Sequence, residues 1–192
     1  MRKSVAFLFL AVGASLVLWG VGIVALAEIG QQEIQNEWAA PKSISVVDAR
    51  KENPTGLIAR LEFKRLQREV FVLDGREPSN LKRGPVWLWE SAPLGSGGNT
   101  VVAGHRDTHF RFLKDVAIGD RIGVEHGERQ GEFRVSGIHI VTPDERRLLA
   151  PVKRDVITFV TCYPFDTVGR AKKRMIVTAE RVSDMLASPK IQ

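Results

Sequence analysis

The sequence has little cysteine: Cys162 is the single one in 192 residues. An intramolecular disulfide is therefore excluded, and the paired cysteine clusters of a structural zinc site are missing as well. The sequence also lacks basic residues interleaved with stacking aromatics, the pattern that is typical of nucleic-acid-binding surfaces. The formal net charge of +6 indicates only a mild attraction to anionic surfaces. We therefore expect no metal, no cofactor and no nucleic-acid partner.

An uncharged run near the start predicts a membrane anchor. Residues 4–27 carry no charge, and the run is long enough to cross a bilayer as one helix. Residues 25–27 resemble a signal-peptide cleavage site, but the run is longer than a usual signal core of about 7 to 15 residues. We favour an uncleaved anchor over a cleaved signal, and both over a buried core helix. Arg2 and Lys3 predict a cytoplasmic N-terminus, with the remainder of a single-pass inner-membrane protein outside the cytoplasm, in the periplasm or at the cell exterior.

Composition divides the chain into five segments. Residues 1–3 are the cytoplasmic start and residues 4–27 are the anchor. A polar stretch with scattered proline and serine, residues 28–55, indicates a stalk or linker. Residues 56–184 are the expected globular domain, and residues 185–192 are a C-terminal tail.

The globular part reads as an all-β domain. Short apolar runs bounded by turn-forming residues recur through it, and they predict the strands LIARLEF, EVFVLD, NTVVAG, DRIGVE, EFRVSGIHIV, DVITFVTC and RMIVTAERV. Seven or eight strands at this spacing favour a barrel or a sandwich. A short helix is predicted at THFRFLKDV, where Phe110, Leu113 and Val116 fall on one face.

Three reactive side chains fall at predicted strand edges. His105 follows NTVVAG, Cys162 closes DVITFVT and Arg174 opens RMIVTAE. If the last two strands are antiparallel neighbours, Cys162 and Arg174 lie on the same rim of the sheet. A thiolate can attack a carbonyl, a histidine can exchange the proton, and an arginine can hold the developing oxyanion.

Each of these residues also has a plain structural interpretation. A lone cysteine after an apolar run is a packed core residue about as often as a reactive one, by its general tendency to be buried. The run RAKKR is typical of a solvated loop, in which Arg170 is the alternative to Arg174. His105 and His109 have the spacing of a helical metal pair, but the neighbouring Gly104 and Asp107 favour a turn.

The motifs resemble those of a known family. TVVAGHRDTHFRFL, ITFVTCYPF and a following arginine before a strand are similar to the sortases, the cysteine transpeptidases of bacterial envelopes. The family signature T-L-x-T-C is met by residues 158–162, with phenylalanine in place of leucine. The runs GHRDTHFRFL and TCYPFD resemble most the sortase class of Gram-negative bacteria.

The resemblance implies a closed eight-stranded β-barrel with short helices, preceded by the anchor. It implies that Cys162 cleaves an LPXTG-like C-terminal sorting signal through a thioester, with His105 as acid and base and with Arg174 stabilising the oxyanion or binding the substrate. An amine acceptor at the envelope would then resolve the thioester. Thr161, Tyr163 and Asp107 are further candidates for contacts with the substrate.

Two other functions compete with this interpretation. A non-catalytic, membrane-tethered β-domain that binds an envelope partner would show the same anchor and strands. An L,D-transpeptidase would also use a cysteine outside the cytoplasm, but its cysteine normally follows serine, histidine and glycine, which Val160 and Thr161 do not match.

Overall fold

The computed structural model describes residues 11–22, 56–127, 129–167 and 169–182, together with the backbone of residues 186–187. Alternation of apolar and polar residues produces its strands, because successive side chains of a strand point to opposite faces. In the first strand, for example, Ala59, Leu61 and Phe63 are buried while the residues between them are half-buried. The strands are β1 (Leu57–Phe63), β2 (Arg68–Asp74), β3 (Val86–Trp87), β4 (Asn99–Ala103), β5 (Arg121–His126), β6 (Arg129–Val141), β7 (Val156–Tyr163), β8 (Lys173–Arg181) and β9 (Leu186–Ala187).

The sheet closes on itself. The strand order is β5-β1-β2-β3-β4-β7-β8-β6, and β5 also pairs with β6. The predicted closed eight-stranded barrel is therefore confirmed, and the short β9 is added beside the start of β6. Two of the pairings, β2 with β3 and β4 with β7, are parallel. The parallel pair of β4 and β7 fixes the position of the candidate site.

Four short helices connect the strands of the described domain. One α-helix spans Asn80–Arg83, and 3-10 helices span Lys64–Leu66, Arg111–Asp115 and Arg147–Leu149. The helix predicted at THFRFLKDV is confirmed by the segment Arg111–Asp115, which lies between the buried Phe110 and Val116.

Aromatic side chains fill the barrel interior. Phe63, Phe110 and Phe159 are almost fully buried. The ring centroids of Phe63 and Phe159 lie 5.4 Å apart, and those of Phe110 and Phe159 lie 5.9 Å apart at an interplanar angle of 84°. Burial of a side chain of this kind stabilises the fold by about 1.5 to 3 kcal/mol, and such ring pairs add about 0.5 to 1.5 kcal/mol. Phe110 thereby links the segment that follows His105 to the core.

The start of the chain is described only in part. Residues 11–22 form a helix, and among the described residues no helix has the length and apolar character that a membrane span requires. The predicted anchor extends to both sides of this helix, and the predicted stalk lies outside the described residues. Both stay predictions.

Candidate active site

Strand register brings His105 level with Cys162. β4 and β7 run parallel, with Val102 opposite Phe159 and Ala103 opposite Val160. The pairing continues past the end of β4, because the Gly104 N–H donates to the Val160 carbonyl at 3.1 Å. Beyond the last pair, Ala103 and Val160, the same register continued by two positions on each chain places His105 level with Cys162. A histidine and a cysteine far apart in sequence therefore lie at one rim of the barrel.

The strand on the other side of β7 supplies Arg174. β7 and β8 are antiparallel, and Cys162 is the direct partner of Arg174. The predicted proximity of these two residues is confirmed. Directly opposed residues project from the same face of a sheet, with Cβ atoms about 4.5 to 5.5 Å apart. His105 is exposed, and Cys162 and Arg174 are half-buried, so a substrate can reach all of them.

Cys162 lies on the outer face of the barrel. Its neighbours Thr161 and Tyr163 alternate with it, and they follow the inward-facing Ile157 and Phe159. Thr158 and Val160 share the outward face with Cys162. The thiol is thus separated from the apolar core and opens onto the surface. This position disfavours the interpretation of Cys162 as a core residue that serves only in packing.

A glycine allows the histidine to approach the barrel. A Cβ atom at Gly104 would come within 2.7 Å of the Phe110 ring, and Phe110 is fully buried. Only glycine fits between this ring and the β7 backbone. The turn is closed by the Phe110 N–H, which donates to the His105 carbonyl at 3.0 Å. The backbone of His105 is therefore held from both sides.

Arg174 is held by its own loop. Its Nη1 donates to the Lys173 carbonyl at 3.0 Å and to the Ala171 carbonyl at 3.4 Å. Within the described part of the chain, Arg174 forms no hydrogen bond with Cys162 or His105. Catalytic hydrogen bonds are often long without a substrate and tighten when one binds, so this arrangement is compatible with a site that awaits its peptide.

The further candidates have different surroundings. Thr161 is 2% exposed, and its hydroxyl donates to the Gly104 carbonyl at 2.8 Å, so it joins β7 to the histidine turn. Tyr163 is half-buried and packs edge-to-face on Phe165, with ring centroids 6.1 Å apart. Asp107 is exposed and forms an ion pair with Arg106. The contacts of these candidates with a substrate stay predictions.

The alternative candidates Arg170 and His109 differ in burial from Arg174 and His105. Arg170 is exposed, while Arg174 is half-buried at the strand edge. His109 is 9% exposed, and its Nε2 lies 3.4 Å from the Lys82 carbonyl. Since His105 is exposed and His109 is buried, the two imidazoles do not share a helix face, and the described residues contain no cluster of metal-ligating side chains.

A loop with a polar anchor borders the outer face. Asn99, on β4, is 3% exposed, and Thr158, on β7, is fully buried. The Thr158 hydroxyl donates to Asn99 Oδ1 at 2.6 Å. Asn99 Nδ2 donates in turn to the carbonyls of Leu148 and Ala150, at 3.0 and 3.2 Å. The segment 142–155 between β6 and β7 is thereby fixed beside the strands that carry His105 and Cys162.

One buried arginine was missed by the sequence reasoning. Arg106 is 4% exposed, and its guanidinium donates to carbonyls of the segment that follows Cys162. Nothing in GHRDTH distinguishes it from a surface arginine, because its partners lie about sixty residues away in sequence.

A thiol, an imidazole and a guanidinium at one rim of a closed barrel are the groups of a cysteine-dependent acyl-transfer site. A family model described as the sortase domain matches residues 61–182. The match covers more than half of the chain, and the protein belongs to the sortase family.

Curated relatives and solved structures agree with this. The chain is 27% identical over 124 residues to Sortase D of Bacillus subtilis, a match that covers 64% of this chain and 63% of that protein. It is 28% identical over 130 residues to Sortase A of Bacillus anthracis, covering 66% and 60%. Sortase A from Corynebacterium diphtheriae has a similar structure, with a TM-score of 0.60 and 29% identity over 70% of this chain and 63% of that one. The chain thus spans about three fifths of the length of these curated relatives.

Proposed function

We propose that the protein is a cysteine transpeptidase that cleaves an LPXTG-like sorting signal and transfers the upstream part to an amine. The observation that carries this proposal is the register that sets His105, Cys162 and Arg174 at one rim, on three neighbouring strands or their direct extensions. Membership of the sortase family supports it.

The chemistry divides among the three side chains. Cys162 loses its proton to His105, and its sulfur attacks the threonine carbonyl of the signal. Arg174 binds the resulting oxyanion. Collapse of the tetrahedral intermediate breaks the threonine–glycine bond, and His105 returns the proton to the leaving amine. The thioester is then attacked by the acceptor amine, which gives a new amide and restores the thiol.

The face around Cys162 suits an extended peptide. Ala103 and Val160 pair beside the site, and Val160 pairs in turn with the buried Ile176 on β8. The outward positions nearest to Cys162 and His105 on β7 and β4, Val160 and Ala103, are thus apolar, as the hydrophobic start of an LPXTG-like motif requires. The anchored segment 142–155 forms one border of this surface.

The site lies outside the cytoplasm, in this proposal, on a single-pass inner-membrane protein. The uncharged residues 4–27 behind Arg2 and Lys3 support the anchor, and Leu18 and Trp19 are exposed on the described helix. The partners are then a secreted protein with a sorting signal and an amine of the envelope.

We also propose the Gram-negative sortase class. GHRDTHFRFL and TCYPFD support this assignment. The curated relatives reported above belong to Bacillus, so the class rests on these two motifs alone. The test is to measure the rate of cleavage of peptides that carry Gram-negative or Gram-positive sorting signals. A preference for the Gram-positive motifs would contradict the class.

Trapping of the thioester tests the activity. The full chain is incubated with an LPXTG-like peptide and hydroxylamine, and the peptide hydroxamate is measured by mass spectrometry. Cys162→Ala and His105→Ala are expected to abolish the product, and Arg174→Ala to lower its rate by about 100-fold or more, as for loss of an oxyanion donor. Arg170→Ala is the matched control, expected to retain the wild-type rate.

The same assay distinguishes the transpeptidase from a non-catalytic binding domain. A non-catalytic binding domain would bind the peptide without forming hydroxamate, and its half-buried Cys162 would react with iodoacetamide near neutral pH no faster than an unactivated thiol. Equal loss of activity in Arg170→Ala and Arg174→Ala would overturn the assignment of the arginine.

A further inference from the structure

We propose that Arg106 is a positioning residue that holds the segment after Cys162 against the histidine turn and thereby sets the place of Arg174. This inference rests on the proposed function. It concerns a side chain that follows His105 in sequence but is turned away from the solvent to which His105 is exposed.

Arg106 bonds three carbonyls of one loop. Its Nη1 donates to Pro164 O at 2.9 Å, and its Nη2 donates to Thr167 O at 2.5 Å and to Gly169 O at 2.9 Å. The rigid, planar guanidinium can satisfy several acceptors in fixed directions, which a lysine ammonium cannot do. Burial of a charge is costly unless it is paired or hydrogen-bonded. These carbonyls therefore make the buried position of Arg106 tolerable.

The Asp107 carboxylate contributes little to the placement of Arg106. Asp107 Oδ1 lies 3.2 Å from Arg106 Nε, and the Asp107 side chain is 65% exposed. An ion pair whose carboxylate is open to water is partly screened, so it contributes little. The loop carbonyls, rather than Asp107, are the main partners of the guanidinium.

Arg106 thus connects the histidine turn to the loop between β7 and β8, two parts of the site that strand pairing does not connect. It follows His105 directly, and the loop it holds runs from Cys162 to Arg174. Arg174 is itself bonded to the carbonyls of Ala171 and Lys173 in the last part of this loop. A displacement of the loop is therefore passed on to the Arg174 guanidinium.

Such a displacement affects the transition state more than peptide binding. An oxyanion donor acts at about 2.7 to 3.1 Å from the oxygen, and a misplacement of about 1 Å can cost on the order of 100-fold in rate. Substitution of Arg106 is expected to lower kcat by about 10- to 100-fold and to change KM less. Because the effect passes through Arg174, it should nearly vanish when Arg174 is already alanine.

The test is a double-mutant cycle in the full chain, with hydroxamate formation as the assay. Arg106→Ala, Arg106→Lys, Arg174→Ala and both double variants are compared with wild type. Arg111→Ala, which removes an exposed arginine from the adjacent helix, is the matched control and should retain the wild-type kcat and KM. The milder Arg106→Lys keeps the test decisive if Arg106→Ala folds poorly.

Two outcomes would overturn the inference. One is a wild-type kcat in the Arg106 variants, and the other is a full additional loss when they are combined with Arg174→Ala. Hydrogen exchange gives a readout that needs no substrate: in Arg106→Lys, amides of residues 165–167 and 169–172 should exchange faster while those of β4 and β7 stay protected. Unchanged hydrogen exchange in Arg106→Lys would refute the positioning role of Arg106, whether or not the wild-type protein forms hydroxamate. Absence of hydroxamate from the wild-type protein would instead refute the proposed function.

Discussion

Replacement of Thr158 by valine should destabilise the domain and loosen the segment beside the site. Thr158 is fully buried, and its hydroxyl donates to Asn99 Oδ1 at 2.6 Å. Valine has nearly the same shape, so Thr158→Val opens no large cavity. The substitution removes the hydroxyl donor, and the buried Oδ1 of Asn99 loses this hydrogen bond.

The magnitude follows from this loss. A buried acceptor left unsatisfied costs about 1 to 3 kcal/mol. For a domain of this size each kcal/mol corresponds to about 4 °C in Tm, so we expect a fall of about 4 to 12 °C. Asn99 Nδ2 still has its bonds to the carbonyls of Leu148 and Ala150, but the Asn99 side chain can now rotate. The segment 142–155 should therefore become less ordered.

Thermal unfolding and peptide kinetics measure the two effects. The Tm of the full chain is followed by near-ultraviolet circular dichroism, and KM and kcat are taken from hydroxamate formation. We expect KM to rise and kcat to change less, because the segment borders the proposed peptide surface and lies apart from the reacting groups.

A neighbouring threonine provides the matched control. Thr178 pairs with Thr158 across β7 and β8, but it is half-buried, and its hydroxyl lies 3.4 Å from the Gly137 carbonyl. Thr178→Val should change the stability by no more than about 0.5 kcal/mol. If both variants showed the same Tm, the Asn99 hydrogen bond would not stabilise the fold as argued.

Two further substitutions test the histidine turn and the surface charges. Gly104→Ala should lower both Tm and kcat, because its Cβ would come within 2.7 Å of the Phe110 ring; Gly123→Ala, with 3.4 Å to its nearest neighbour, should keep the wild-type kcat. The hydrogen bond from Arg65 lowers the pKa of Asp120 in the folded protein from its ordinary value of 3.8. The stabilisation of the fold by the ionised Asp120 is therefore complete above that ordinary value, and it is lost as the pH falls through the lowered pKa of the folded state. In urea unfolding, wild type should therefore exceed Asp120→Asn in stability at pH 7 and lose that advantage towards pH 2; a constant difference would contradict the pairing.

The sequence predicted the strands well because their pattern is local. The runs LIARLEF and DVITFVTC show strand composition by themselves, and the structure forms β1 and β7 there. The proximity of Cys162 and Arg174 was also predictable, since β7 and β8 are consecutive strands joined by one loop, residues 164–172. Closure of the barrel was expected from family resemblance, because strand composition alone left a barrel and a sandwich equally open.

The position of His105 was harder to obtain from local patterns. β4 and β7 are parallel neighbours, although β5 and β6 lie between them in sequence. No local signal predicts which of several apolar strands pair across such a separation. His105 was therefore a candidate from its place after a predicted strand and from its motif, and its position level with Cys162 became visible only in the fold. The roles of the three residues in catalysis stay predictions for the trapping assay.

Arg106 and Asn99 mark where reasoning from sequence ends. Both are polar residues that sequence alone would place at the surface, and both are almost fully buried because their partners are backbone carbonyls. A carbonyl is present at every position, so no residue type in the partner segment marks the contact. The loops beside a reactive cysteine are consequently fixed by side chains whose importance depends on the fold, while the reactive groups themselves are identified by their chemistry.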